Sequence, residues 1–238
     1  MSYFLDVLPL DATSALSLFL SGDPTLYSVL RLSLIVTLSA TMLAGLIGLP
    51  LGAIVALTCF PGRSAVTVIL NSLMGLPPVV VGLLVYLTLS RSGPLCFLGL
   101  LFTPKAMIVA QAILITPIIA ALTRQAIEDM WSEYRDEFTA MNVSPLLRVQ
   151  ALLWDARFSL VTILLAGFGR AAAEVGAVMI VGGNIDGFTR VMTTTIALET
   201  SKGNLPLALG LGTALISVIM AVNALAWSVR HWAERHAG

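Results

Sequence analysis

Residues 124–157, RQAIEDMWSEYRDEFTAMNVSPLLRVQALLWDAR, decide how this chain is read, because ten of its 13 basic and 13 acidic residues fall in this one polar island. The sequence on either side is apolar, Ala106 to Thr123 before it and Phe158 to Val181 after it. Charge at that density is not tolerated against lipid, so the island must lie outside the hydrocarbon, where a soluble partner can reach it.

The rest of the composition agrees. Of 238 residues, 58% are hydrophobic and 11% charged, and mean hydropathy is +0.95. Soluble domains carry about 25% charge, so the chain reads as an all-α integral membrane protein. Its formal net charge is zero, and no single-sign field points to nucleic acid. Five apolar stretches are long enough to span: Leu26 to Phe60, Ala65 to Leu89, Ala106 to Thr123, Phe158 to Val181 and Leu205 to Val229. The reading is a short amino-terminal segment, residues 1–25, followed by a single transmembrane domain over 26–238.

The first 26 residues hold Asp6, Asp11 and Asp23 but no Lys or Arg. That is not the basic start of a secretory signal, so the segment is expected to remain in the mature protein. Ala12 to Leu20 is too short to span and is expected as an interfacial helix, with a core-facing plug as the alternative. Cys59 and Cys96 sit at opposite ends of the second apolar stretch, on opposite membrane faces, so neither a disulfide nor a metal site is expected.

Gly45, Gly48 and Gly52 mark close helix packing in the first span. Pro61, Gly62 and Arg63 form a tight turn after it. The pair Pro77-Pro78 must bend or break the second span, and Pro117 is expected to do the same in the third. Such breaks either line a cavity or are plain kinks. Arg63, the four island arginines, Arg230 and Arg235 fall on one side, against Arg31, Arg91, Lys105, Arg190 and Lys202 on the other. The richer side is placed in the cytoplasm, with the amino terminus outside and the carboxyl terminus inside.

Within the island, Ile127 to Met141 predicts a polar helix. Asn142 can take the left-handed conformation that ends helices, and Ser144-Pro145 supplies a cap and a first-turn proline. The next helix carries Leu146, Leu147, Leu152 and Leu153 among Arg148, Gln150 and Asp155. These leucines either fit a groove on another protein or pack on the bundle floor.

This segment resembles the cytoplasmic EAA loop of ABC-transporter permeases, with Asp136-Glu137-Phe138 at the acidic start. Where that family usually has glycine the chain has Asn142, which still permits the left-handed turn. Downstream, Glu174 to Ile185, EVGAVMIVGGNI, with Gly187, Thr189-Arg190 and the stretch from Met192 to Gly203, resembles permeases of the molybdate/tungstate group, the tungstate type first.

The resemblance implies the type I ABC importer permease (MetI-like) arrangement in the inner membrane, with a coupling loop over about 124–157 between the third and fourth helices. It implies that Asp136, Glu137, Phe138, Met141, Asn142, Ser144, Pro145, Leu146 and Leu147 engage an ABC ATPase subunit. It further implies a homodimer, an extracytoplasmic oxyanion-binding protein docked near Asn184 to Asn204 and Arg91 to Lys105, and ATP and magnesium bound only by the partner ATPase. Molybdate, sulfate and phosphate are the alternative substrates.

Inside the membrane, Arg170 and Glu174 are four apart in the fourth apolar stretch, so they share one helical face and can neutralise each other. Among Ala171 to Ala173 and Gly176 they either clamp a dimer interface or line the pathway. Asn184, Thr189, Arg190, Thr193, Thr194 and Thr195 offer neutral donors and flexible backbone between two spans, suited to a re-entrant or outer gate element or a binding-protein contact. The plainer reading is an ordinary outside loop.

Other classes fit poorly. The two lysines, Lys105 after Pro104 and Lys202 after Ser201, belong to no phosphate-cradling loop. An ion-coupled carrier calls for inverted repeats and midplane carboxylates in both halves, yet only Glu174 stands there. An intramembrane enzyme calls for a membrane histidine or paired aspartates, and His231 and His236 lie in the tail.

Overall fold

A computed structural model describes residues 24–236. The interfacial helix expected over Ala12 to Leu20 lies outside the described residues. The described residues form α1 (Pro24–Leu57), α2 (Arg63–Leu73), α3 (Pro78–Leu89), α4 (Pro104–Ala140), α5 (Pro145–Asp155), α6 (Arg157–Ala172), α7 (Gly176–Gly182), α8 (Met192–Ser201) and α9 (Leu205–His236), with one 3-10 turn and no strand. Three helices are long and apolar enough to cross a membrane, over Leu26–Leu57, Pro104–Ala140 and Leu205–Val229. The broken pairs α2 with α3 and α5 with α6 raise the count to five if each is one span.

Three local expectations need correction. Pro117 neither ends nor splits α4, which runs through it for 37 residues. One missing N–H is tolerated in a helix whose proline is buried among apolar neighbours. The polar helix expected from Ile127 is the continuation of the same α4, because no glycine or proline interrupts Thr123 to Ala140. The stretch Phe158 to Val181 is not one helix: α6 stops at Ala172 and α7 starts at Gly176. Pro77-Pro78 does break the second stretch, with Pro78 opening α3.

The chain divides into two compact units. The first holds 24–37, Pro78–Ala110 and Ala172–Leu225. Its core includes Val29, Met192 and Leu211, with Leu26, Ile196 and Leu215 packed on them. Helix α3 meets α7 at Gly82, where an added Cβ would stand 2.7 Å from Ala177 Cα. The Phe102 N–H donates to Val181 O at 2.9 Å.

The second unit holds Leu38–Pro77, Gln111–Ala171 and the end of α9. Val55, Leu70, Ala120 and Ala121 form a buried cluster there. All three glycines of α1 read as packing positions are close-approach sites. A Cβ on Gly45 would lie 2.8 Å from Leu164 Cδ2, on Gly48 2.9 Å from Ile119, and on Gly52 2.8 Å from Thr123 Cβ. Gly62 has φ +93° with open space around it, so backbone conformation is what selects glycine in that turn.

Candidate functional site

The polar island, in the second unit, is a helix, a sharp turn and a second helix. Helix α4 ends at Ala140, and Asn142 takes φ 51°, the left-handed turn anticipated for it. Val143 N–H then donates to Phe138 O at 3.2 Å, closing the helix end. Ser144 stands at the N-cap of α5 with Pro145 in its first turn, but the serine hydroxyl makes no cap bond. Its carbonyl instead accepts the Arg148 N–H at 3.0 Å.

Arg148 fixes the turn. Its Nε donates to Val143 O at 2.8 Å, and its guanidinium lies 5.5 Å from the Trp131 ring. Trp131 stacks on Phe138 one face along α4, with centroids 6.0 Å apart. Each contact is worth about 1 kcal/mol or less, and together they set the angle at which α5 leaves α4.

The four leucines of α5 part company. Leu152 is 0% exposed, whereas Leu146 is 70% and Leu147 53% exposed. Met141 and Trp154 are exposed too, as are the carboxylates Asp136 and Glu137. Leu152 is packed inward, while Leu146 and Leu147 are left uncovered. Leu152 alone of the four is fully buried, while the beginning of α5 presents an apolar tip, with a 74° bend leading into α6.

The start of the island joins the α1–α2 turn in a charge cluster that sequence reading missed. Arg63 donates to Val55 O and Ala56 O, both at 2.9 Å, satisfying the otherwise open carbonyls at the end of α1. The same guanidinium reaches Glu128 at 2.5 Å, and Glu128 also pairs with Arg124 one turn back on α4. Only the Arg124–Glu128 spacing is visible in the sequence.

In the first unit, Glu174 lies in the break between α6 and α7. Arg170 lies in the last turn of α6, before the break, so the two do not share a face of one continuous helix. Glu174 is buried. Its carboxylate accepts the Ala177 N–H at 3.0 Å, capping α7, and its carbonyl accepts the Thr193 hydroxyl at 2.9 Å. A negative group at a helix start is stabilising, which favours the break.

The threonines expected to offer free hydroxyls do not form a flexible loop. They open α8 or precede it, and Thr189, Thr193 and Thr194 are buried. Thr189 donates to Gly182 O at 2.6 Å and accepts from Ile185 N at 2.9 Å. Thr194 accepts the Val191 N–H at 3.1 Å, and Thr195 donates to Val191 O at 2.8 Å. Asn184 takes φ 49° beside Gly183 at φ 70°. Arg190 pairs with Asp186 at 2.9 Å. At the end of α8, the hydrogen bond from Lys202 and a weaker one from Asn204, with the charges of Lys202 and Arg190, hold the Glu199 carboxyl below its usual range against desolvation.

No family model matches the chain. The chain is 39% identical over 217 residues, 91% of its length, to the tungstate uptake system permease protein TupB of Peptoclostridium acidaminophilum, of which 95% is covered. It belongs to the molybdate/tungstate family of ABC-transporter permeases. A probable anion ABC transporter permease protein of Haloferax volcanii is 41% identical over 216 residues, covering 87% of this permease and 93% of that protein. A chain of the MetNI methionine ABC transporter, solved in inward-facing conformations, superposes with a TM-score of 0.65 over 91% of this chain and 99% of its own, at 17% identity. At that identity the likeness shows the fold: the permease is a multi-pass membrane protein with the MetI-like importer arrangement.

Proposed function

We propose that this permease forms the membrane pathway of an ATP-driven importer for an oxyanion, and that the oxyanion is tungstate. The observation that carries the reading is the 39% identity to a tungstate uptake permease across nine-tenths of both chains. The exposed tip of Met141, Leu146 and Leu147, together with the exposed Asp136 and Glu137, supports docking of a separate ATPase on the cytoplasmic side. With no phosphate-cradling lysine in the sequence, ATP and magnesium belong to that ATPase.

In this reading two copies pair in the cell membrane, amino termini outside and carboxyl termini in the cytoplasm. An extracytoplasmic oxyanion-binding protein delivers the anion. Closure of the ATPases moves the paired islands and opens the far side. The test is uptake of trace tungstate, molybdate and sulfate by cells with and without the permease, each against an excess of the other two. Loss of tungstate uptake alone is expected. Loss of another anion instead overturns the substrate, and no loss for any of the three overturns the oxyanion importer.

A further inference from the structure

The first unit carries a second cluster of charge that the packing does not use. A cavity of about 250 Å3 opens between the first turns of α1 and the loop before α8, lined by Ser28, Arg31, Leu32, Gly187, Phe188 and Arg190. We propose that Arg31 and Arg190 bind a tetrahedral divalent oxyanion in this cavity. The inference rests on the oxyanion-importer reading for its physiological ligand, but the site itself is argued from the two guanidinium groups.

Three observations carry it. Arg31 is exposed and has no hydrogen-bond or ion-pair partner among the described residues, although it lines a cavity beside a second arginine. Arg190 is oriented by Asp186, which holds its Nη1 at 2.9 Å, while its Nε is buried and lacks an acceptor. A buried donor without a partner is unfavourable, and a ligand oxygen would relieve it. Guanidinium forks match the spaced oxygens of tetrahedral anions.

The charge balance suits passage rather than storage. Asp186 cancels one of the two positive charges, leaving one to attract a divalent anion. Such a site binds weakly enough to release, which transport requires. Leu32 and Ile35 on α1 and Phe188 on the loop supply the apolar part of the lining. A lipid phosphodiester presents similar tetrahedral oxygens but only one negative charge, and the experiment separates it from a free divalent oxyanion.

Full-length permease in nanodiscs of phosphatidylcholine is titrated with radiolabelled tungstate, then again with phosphatidylglycerol in the bilayer. Saturable binding is expected in the neutral discs. Arg31→Gln should weaken it by about tenfold, the effect of losing one charge-assisted contact, and Arg31 is the cleaner variant because it has no partner among the described residues to disturb. Asp186→Asn should tighten binding several-fold by freeing Arg190. Competition by phosphatidylglycerol that Arg31→Gln removes means that lipid phosphate also occupies the site.

Arg31-dependent retention of phosphatidylglycerol, with no tungstate binding in either disc, makes a monoanionic headgroup the ligand and overturns the divalent-oxyanion proposal. Absence of binding by either anion, or affinities unchanged in both variants, overturns the proposal. Intact anion binding in Arg31→Gln together with lost cross-linking to the binding protein overturns it as well, assigning the arginines to a protein carboxylate. Uptake in cells is scored separately. Tungstate uptake without binding in discs sinks the site alone, while preferential binding of sulfate with no tungstate uptake sinks the substrate alone.

Discussion

The polar island and the threonine-rich stretch around α8 treat their side chains in opposite ways. In the island, Leu146, Leu147, Met141 and Trp154 face outward, and the guanidinium of Arg148 holds backbone in place. Around α8 the polar residues face inward, and the hydroxyls of Thr189, Thr193 and Thr194 are satisfied by neighbouring backbone. Apolar groups turned outward beyond the membrane ask for a partner, whereas buried and satisfied polar groups specify one local fold. Substitutions should therefore separate function from stability in the first region and join them in the second.

The most severe expected effect lies in the second region's support. Gly82→Val places a side chain where its Cβ is 2.7 Å from Ala177 Cα, a backbone atom that cannot step aside without moving α7. Loss of folded, monodisperse permease after detergent extraction is expected. A normal yield with an unchanged melting temperature breaks the view that this region is architecture.

Next in size is the island itself. Leu146→Asp with Leu147→Asp changes two exposed residues that make no core contact, so stability should hold within about 0.5 kcal/mol. Tungstate uptake should fall by at least about tenfold, the consequence of charging an apolar docking surface. A fall in melting temperature of the purified permease that matches the loss of uptake places these leucines in the fold and erases the contrast.

Much of the island is legible in the sequence because its signals are local. Asn142, Ser144 and Pro145 write the turn within four positions, and Pro77-Pro78 and Gly62 punctuate the chain in the same way. The break at Ala173–Val175 is not legible: RAAAEVGAV reads as unbroken helix, and only the inward placement of Glu174 against the Ala177 N–H shows why it ends. The threonine-rich stretch between two spans reads as flexible backbone, yet α8 forms there: the bond from the Val191 N–H to Thr194 that caps the helix is a local choice the residue types permit without requiring. Arg63 and Glu128 meet across 65 positions, and Arg31 and Arg190 share a cavity only after α1 and the α7–α8 loop are folded. Pattern reading has no term for such pairs.

A milder test in the second region is Thr194→Val, which keeps shape and removes the hydroxyl. Thr194 is 0% exposed, and the Val191 N–H loses its acceptor, so a destabilisation of about 1–3 kcal/mol is expected. The drop in melting temperature measures it. Specific uptake per folded molecule should stay near the parent value; a selective loss of uptake at unchanged stability would place the hydroxyl in transport and reverse the contrast.

The smallest effect concerns charge at the end of α8. Glu199 Oε1 accepts from Lys202 at 2.8 Å and its Oε2 from Asn204 at 3.2 Å, and the hydrogen bond from Lys202 is the main cause of its lowered pKa. A carboxyl with a depressed folded-state pKa contributes stability that is present above the unfolded value of about 4.3 and is lost as pH falls through the lower folded value. Glu199→Gln keeps the shape and cannot titrate. The melting-temperature gap between parent and variant should therefore be constant near neutrality and should close as pH is lowered below the ordinary carboxylate range. A gap that persists unchanged in acid would mean that Glu199 holds the α8 end by shape and hydrogen bonding alone, making even its one charged contact part of the same satisfied packing as the threonines.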